Sequence, residues 1–318
     1  RSVEPPILKP KTTTESNRVM RHMKQPLAAA ITWLVAIVNA NTVWAADNDD
    51  AALEEIRVIG TAITRGALNL NALPFAAQRF TQEDLSDAAF FSAVDLLEDR
   101  ATSVSTNAAQ NNRLQPDVQY RGFTASPLLG LSQGLAVYHN GVRVNEAFGD
   151  TVNWDLLPAS SMETLDLVGG SNPVYGLNTI GGALVVNTRT GFSSEGGSAS
   201  VTLGDYNTQD YNISYGANNA EWGFFITADA MDEDGWRDFS ESEARTLYSA
   251  LSWRGAASEL DVFFNYGDSN LKGNGAVPLD LLNTSRSAVF THPDQTENEL
   301  TMASVSFRHA FSDNSEIS

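Results

Sequence analysis

The chain has 318 residues, with 20 Lys and Arg against 39 Asp and Glu, a formal net charge of −19, and no cysteine. The length suits two domains. The missing thiols exclude disulfide scaffolds, Cys-ligated zinc or iron–sulfur centres and Cys nucleophiles, and the acidity repels nucleic acid.

Residues 1–19 precede the first Met and are read as the product of translation from too far upstream. Residues 20–46 read as a secretory signal peptide. Met20-Arg21-His22-Met23-Lys24 is a basic start, Leu27 to Val38 is an apolar run of 12 residues, and cleavage is expected after Ala45 or Ala46. Such a run makes about 18 Å of helix, too short for a hydrocarbon core of ~30 Å. These 46 residues hold six basic and two acidic side chains, so the rest of the chain carries 14 basic against 37 acidic.

Residues 47–65 begin acidic and then offer one β-prone stretch, Glu54 to Thr61. With no hairpin partner evident beside it, that stretch is a sheet edge or an extended peptide for another protein to pair with. Residues 66–192 read as a small α+β domain. Thr81 stands as a helix N-cap with Asp84 three residues on, and a second helix is expected over Ser92 to Asp99. Ala101 to Pro116 is polar and reads as a loop. Strands follow at Val118–Tyr120, Leu135–His139, Thr164–Val168 and Ala183–Thr188. Asn140-Gly141 marks a two-residue hairpin, because both positions tolerate positive φ.

From residue 193 to 318 the pattern becomes alternating. Val201/Leu203, Tyr211/Ile213/Tyr215, Trp222/Phe224/Ile226/Ala228/Ala230, Leu247/Ser249/Leu251/Trp253, Leu260/Val262/Phe264/Tyr266 and Val305/Phe307/Phe311 give six striped strands, with His309 breaking the last. One apolar face and polar turns suit tilted membrane strands, and equally a soluble antiparallel sheet with one wet face. Gly267 to Glu297 shows no period and reads as a long outward loop.

Residues 96–188 also carry a set of motifs in order: Leu96-Leu97, Tyr120-Arg121-Gly122-Phe123, Tyr138-His139-Asn140-Gly141-Val142, Met162-Glu163-Thr164-Leu165-Asp166-Leu167-Val168, Val174-Tyr175-Gly176 and Ile180-Gly181-Gly182 through Thr188. This set resembles the plug domain of TonB-dependent outer-membrane receptors. Asn140 replaces the usual Asp, and Gly169-Gly170-Ser171 replaces the usual Arg-Gly-Pro. The resemblance implies a small α+β plug domain followed by antiparallel transmembrane β-barrel strands, an incomplete barrel of about 6 of 22 strands and hence a fragment.

By the same resemblance Ile56, Arg57, Val58, Ile59 and Gly60 form a TonB box, a plain edge strand being the alternative. Arg121, Gly122, Asn140, Gly141, Glu163, Asp166, Tyr175, Gly176, Gly181 and Gly182 form the plug motif. Asp234 to Asp238 resembles a turn common early in these barrels, with Trp236 at an interface girdle; an ordinary polar turn is the alternative. The implied function is energised uptake of a scarce solute across the Gram-negative outer membrane, a ferric siderophore foremost, with cobalamin, haem and glycans as other cargo. The implied partners are TonB with ExbB–ExbD, outer-membrane lipid and an extracellular ligand. The competing expectation is a soluble periplasmic or secreted β-rich binding protein. No Gly-x-Ser-x-Gly, Walker or His-x-x-x-His pattern is present, so neither an enzyme, a cofactor nor a metal site is expected. Asp229, Asp232 and Asp234 are read as solvated turn carboxylates, with calcium as the alternative.

Overall fold

The computed structural model describes residues 58–59, 68–69, 76–87, 92–108, 110–312 and 315–317, so the expected leader segments at 1–19 and 20–46 lie outside the described residues. β1 (Val58–Ile59) pairs antiparallel with β2 (Leu68–Asn69). The stretch expected to lack a hairpin partner therefore has one within the chain. Leu68 and Asn69 supply it, a pair too short to make a pattern. Ile56, Arg57 and Gly60 lie outside the described residues.

The N-terminal domain continues with β3 (Ala77–Thr81), α1 (Gln82–Asp87), α2 (Ala93–Arg100), β4 (Val104–Asn107), β5 (Asp117–Tyr120), β6 (Phe123–Ala125), β7 (Leu135–His139), β8 (Val142–Arg143), β9 (Met162–Gly169) and β10 (Gly182–Thr188). Its main sheet has the order β3-β9-β10-β7-β8, with β7 and β10 parallel and the other pairs antiparallel. Both faces of this sheet are covered, so its strands read as continuous apolar runs rather than alternating ones. Leu135, Val137, Leu165, Leu167, Leu184 and Val186 pack with Leu96 and Leu97 of α2 on one side. Ala136, Tyr138, Ala183 and Val185 pack with Tyr175 on the other.

Local chemistry sets the boundaries. Asp95 N–H donates to Ser92 Oγ at 3.2 Å and Ser92 N–H to the Asp95 carboxylate at 3.0 Å, a full capping box that starts α2. At α1 the expected Thr81/Asp84 pair forms, with Asp84 accepting from both the Thr81 N–H (2.7 Å) and its hydroxyl (3.0 Å). The stretch 101–116 is not all loop. β4 pairs with β5 there, but its lone Val among Ser, Thr and Asn leaves no stripe to read.

The second part is one antiparallel sheet of seven strands in sequence order, β11 (Gly196–Leu203), β12 (Gln209–Asn218), β13 (Trp222–Glu233), β14 (Ser242–Arg254), β15 (Ser258–Lys272), β16 (Gln295–Ser312) and β17 (Ser315–Ile317). The sheet is open, with β11 and β17 at its edges. Six strands were expected; the three-residue β17 is additional.

The register sets the outward stripes level with one another. Ala217, Phe224, Leu251, Val262 and Val305 form one row, and Trp222, Trp253, Leu260 and Phe307 the next. Phe224, Leu251 and Val305 are exposed, whereas Phe225, Tyr248, Ala250 and Phe263 on the opposite face form a buried cluster. His309 keeps its outward place because Ser258 Oγ lies 2.7 Å from its Nδ1. The expected loop at 267–297 is shorter, because β15 runs to Lys272 and β16 starts at Gln295, with α3 (Leu279–Thr284) between them. Asp268 pairs with Glu299 and Asn270 with Glu297. Pairing thus continues where the outward face turns polar, which erases the period without ending the ladder.

Candidate functional site

The sequence motifs converge on two hairpins and a glycine corner. Arg121 (φ 50°) and Gly122 (φ 87°) form the two-residue turn between β5 and β6, and Asn140 (φ 50°) and Gly141 (φ 82°) the one between β7 and β8. Both turns need positive φ at both positions, which Gly and Asn accept and Arg rarely does. The Arg121 guanidinium lies 5.0 Å from the Tyr120 ring centre.

The Phe123 ring fills the space beside Gly134 and Gly181, where an added Cβ would collide with it. A Cβ on Gly182 (φ 136°) would meet the Val168 carbonyl. Gly176 (φ 76°) closes the single 3₁₀ turn Pro173–Tyr175, and the Tyr138 hydroxyl donates to the Tyr175 carbonyl at 2.6 Å. Close packing thus requires glycine at 134, 181 and 182, and the positive φ favours it at 176.

Asn140 has a role that Asp could fill only in part. Its Oδ1 accepts from the Thr188 N–H at 3.0 Å, and its Nδ2 donates to Thr188 Oγ1 at 2.7 Å. Asp166 is fully buried and held bidentately by Arg79, at 2.6 and 2.7 Å. Sequence reading missed Arg79. The β3–β9 register that sets Arg79 opposite Asp166 exists only in the fold, and the sequence carries no signal for it. Glu163 acts electrostatically on Arg189, whose charge is otherwise disfavoured by burial.

The N-terminal domain packs on the face of the seven-stranded sheet that carries Phe225 and Tyr248, so that the sheet forms a wall beside it, and many of the contacts are polar. Residues 154–161, two short 3₁₀ turns, provide most of them. Ser160 Oγ donates to Asp229 at 2.6 Å and accepts from Thr227 Oγ1 at 2.9 Å. The Asp155 carboxylate accepts from Ser269 at 2.5 Å and from Asn298 at 3.0 Å. Burial pushes the Asp155 pKa up, and those hydrogen bonds oppose the shift in part. Asn265 donates to the Leu156 carbonyl, and Tyr248 bonds to Thr188 and to the Arg189 carbonyl. Asp229, expected as a solvated turn carboxylate, is instead part of this seam.

His139 lies in the seam with its ring against Tyr248, centroids 6.1 Å apart, and neither nitrogen has a hydrogen-bond partner among the described residues. Burial lowers its pKa to about 4. Beside residues 154–161 a cleft of about 360 Å³ opens, lined by Ser200, Thr202, Asp210, Asn212 and Arg189 among others. The seam also holds buried apolar side chains, with Leu114 packed on Met231 and Leu271, and Phe225, Tyr248, Ala250 and Phe263 clustered on the inner face of the sheet.

The two ends of the wall differ. Turns 219–221 and 255–257 are short, whereas 234–241 and 273–294 at the other end are longer. Trp222 and Trp253, with ring centroids 6.5 Å apart, sit on the outward face at the short-turn end. Trp236, expected at a girdle, instead lines clefts shared with Asn107, Ala108, Asn111, Asn112 and Arg113 at the long-loop end. Arg237 of that turn is buried and donates to the carbonyls of Asn274 (2.9 Å), Gly275 (3.1 Å) and Ala288 (3.1 Å), which binds the two long loops together. Nearby, Asn112 of the N-terminal domain donates to Ser242 Oγ at 2.8 Å and to the Lys272 carbonyl at 3.1 Å.

Comparison with known proteins agrees with this arrangement. The family model for the TonB-dependent receptor plug domain matches residues 69–183. No curated protein matches the chain. Among solved structures, FpvA of P. aeruginosa with bound pyoverdine is similar at a TM-score of 0.62 and 14% identity, over 80% of this chain and 34% of that one. The ferric citrate transporter FecA is similar at 0.62 and 15%, over 77% and 38%. The ferric preacinetobactin receptor BauA from Acinetobacter baumannii is similar at 0.61 and 16%, over 81% and 39%. The chain spans a little over a third of the length of these receptors.

Proposed function

We propose, from the premise that this chain belongs to the TonB-dependent receptors through its plug domain, that it gates energised uptake of a scarce solute across the Gram-negative outer membrane. The observation that carries this reading is the seam. Hydrogen bonds from residues 154–161, Asn112 and Thr188 hold the plug to the wall beside the apolar contacts of Leu114 with Met231 and Leu271, so its release calls for an applied pull. The wall supports a membrane setting, with exposed apolar rows outward and two tryptophans at the short-turn end. Short turns at one end and long loops at the other support an orientation with the long-loop end outside the cell.

The pull is assigned to TonB, powered through ExbB–ExbD, acting on Ile56 to Gly60. An extended segment that adds a strand to a partner's sheet would do this by backbone pairing. Val58 and Ile59 already pair with Asn69 and Leu68, a two-residue ladder that must open first. The cargo is assigned to the ferric siderophores, on the ligands named for FpvA, FecA and BauA. Ile56→Pro or Val58→Pro removes a backbone donor from the segment. Each is expected to abolish energised uptake while leaving ligand binding intact. Unchanged uptake in both variants would remove the TonB-box assignment.

A further inference from the structure

We infer that residues 191–195, which join the plug to the wall, form a fixed seat on β12 and β13, and that the plug turns about Arg189 and Thr190 when it moves. The inference rests on the transport reading for its role, and on packing alone for its placement.

The seat lies at the short-turn end, on the face of the wall that carries Phe225. Gly216 pairs with Phe225 there, and Gly223, two residues before Phe225, faces the same way. These two glycines leave the wall bare at that spot, and the linker backbone lies in the gap. A Cβ on Gly216 would run into the Ser194 carbonyl, and one on Gly223 would come within 2.8 Å of the Phe192 ring. The fit is reciprocal. Gly191 is buried, and a Cβ there would strike the backbone of Phe224 and Ala217. Glycine on both sides is what permits so close an approach of two backbones.

Side chains close the seat. Asn218 Nδ2 donates to the Gly191 carbonyl and to the Glu195 carboxylate, both at 2.7 Å. The Arg254 guanidinium lies 5.2 Å from the Phe192 ring centre and is itself paired with Asp261 at 2.8 Å. Within the linker, Ser194 N–H donates to the Thr190 carbonyl at 3.1 Å and Thr190 N–H to Ser193 Oγ at 2.9 Å. The segment is thus a folded turn, not a slack tether.

The rest of the seam differs in kind. Residues 154–161 meet the wall through separate hydrogen bonds, each replaceable by one to water. Leaving the seat withdraws Phe192 and the buried Gly191 backbone from a matched groove together. A load on the plug therefore opens the contacts at 154–161 before the seat. Arg189 spans the two, donating to Ser194 Oγ at 2.8 Å and to the Ser160 carbonyl at 3.3 Å, so the turn falls there.

The test is hydrogen exchange of the full chain in detergent at rising urea, followed at the Ser194 amide, in plug strands β9 and β10 and in wall strands β12 and β13. The plug strands are expected to lose protection first, with the Ser194 amide keeping the protection of the wall. Phe192→Ala empties the seat from the linker side and leaves the wall's own residues in place. It should raise exchange at Ser194 by about tenfold or more while β12 and β13 stay protected. Exchange at Ser194 in step with the plug strands, loss of plug and wall together, or an unchanged Ser194 in Phe192→Ala overturns the inference.

Uptake by cells separates it from the reading beneath it. Glu195→Cys with Asn218→Cys, in a chain otherwise free of cysteine, replaces a hydrogen bond by a covalent tie once bridged with a bifunctional thiol reagent. Uptake is expected to continue with the tie in place. Uptake that is present before bridging and lost after it removes the seat and leaves transport standing. No uptake by the parent removes transport, and the exchange measurement still decides the seat.

Discussion

His139 shows how one buried side chain ties the plug to pH. Its pKa falls from 6.5 to about 4 because burial disfavours the imidazolium. The unfolded chain therefore takes up the proton first as the pH drops below 6.5. The stability that the neutral ring contributes is full above pH 6.5 and is lost toward pH 4, by about 3 kcal/mol at 1.36 kcal/mol per pKa unit. Urea unfolding at several pH values is expected to show this loss in the parent and a flatter profile in His139→Leu. The same slope in both would contradict the assignment. Arg79 and Asp166 make a second residue-scale case. Arg79→Met leaves the fully buried Asp166 carboxylate without its guanidinium. This should cost about 3–5 kcal/mol. Adding Asp166→Leu should recover most of the loss in urea unfolding. A double variant no more stable than the single one would mean that the pair is not what anchors β3.

Among the elements, the wall strands carry the clearest pattern. Leu251 lies mid-row on the exposed apolar face, between Phe224 and Val262. Leu251→Arg should weaken insertion into lipid vesicles by about 2–4 kcal/mol, whereas Asp268→Arg, beyond the apolar rows, should change it little. Equal effects at the two positions would mean that this face does not meet lipid.

These strands were legible because one face alternates against the other over each full span. Legibility ended where that contrast ended. Residues 268–272 and 295–299 remain paired but are polar on the outward face, so the sequence reads as loop. The Asn140-Gly141 turn was legible from its residue types; the identical turn at Arg121-Gly122 was masked by a residue that seldom adopts positive φ. The seam was the least legible part. Ser160, Asp155 and Asn112 are ordinary polar residues until the fold brings them to Asp229, Ser269 and Ser242 from far along the chain. The pairing of Val58 with Asn69 was also hidden, because two residues make no pattern.

At the scale of the whole molecule, everything depends on the plug moving against the wall. The natural chain has no cysteine, so an engineered pair can report on this without background. Ser160 Oγ of the plug and Thr227 Oγ1 of the wall are 2.9 Å apart, and Ser198 Oγ and Ser214 Oγ, both in the wall, are 2.7 Å apart. The decisive measurement is solute uptake by cells carrying Ser160→Cys with Thr227→Cys, oxidised and then reduced, beside cells carrying Ser198→Cys with Ser214→Cys. Uptake should stop when the plug is crosslinked to the wall, resume on reduction, and persist throughout in the wall-only pair. Undiminished uptake with the plug–wall crosslink fully formed would contradict the gating account.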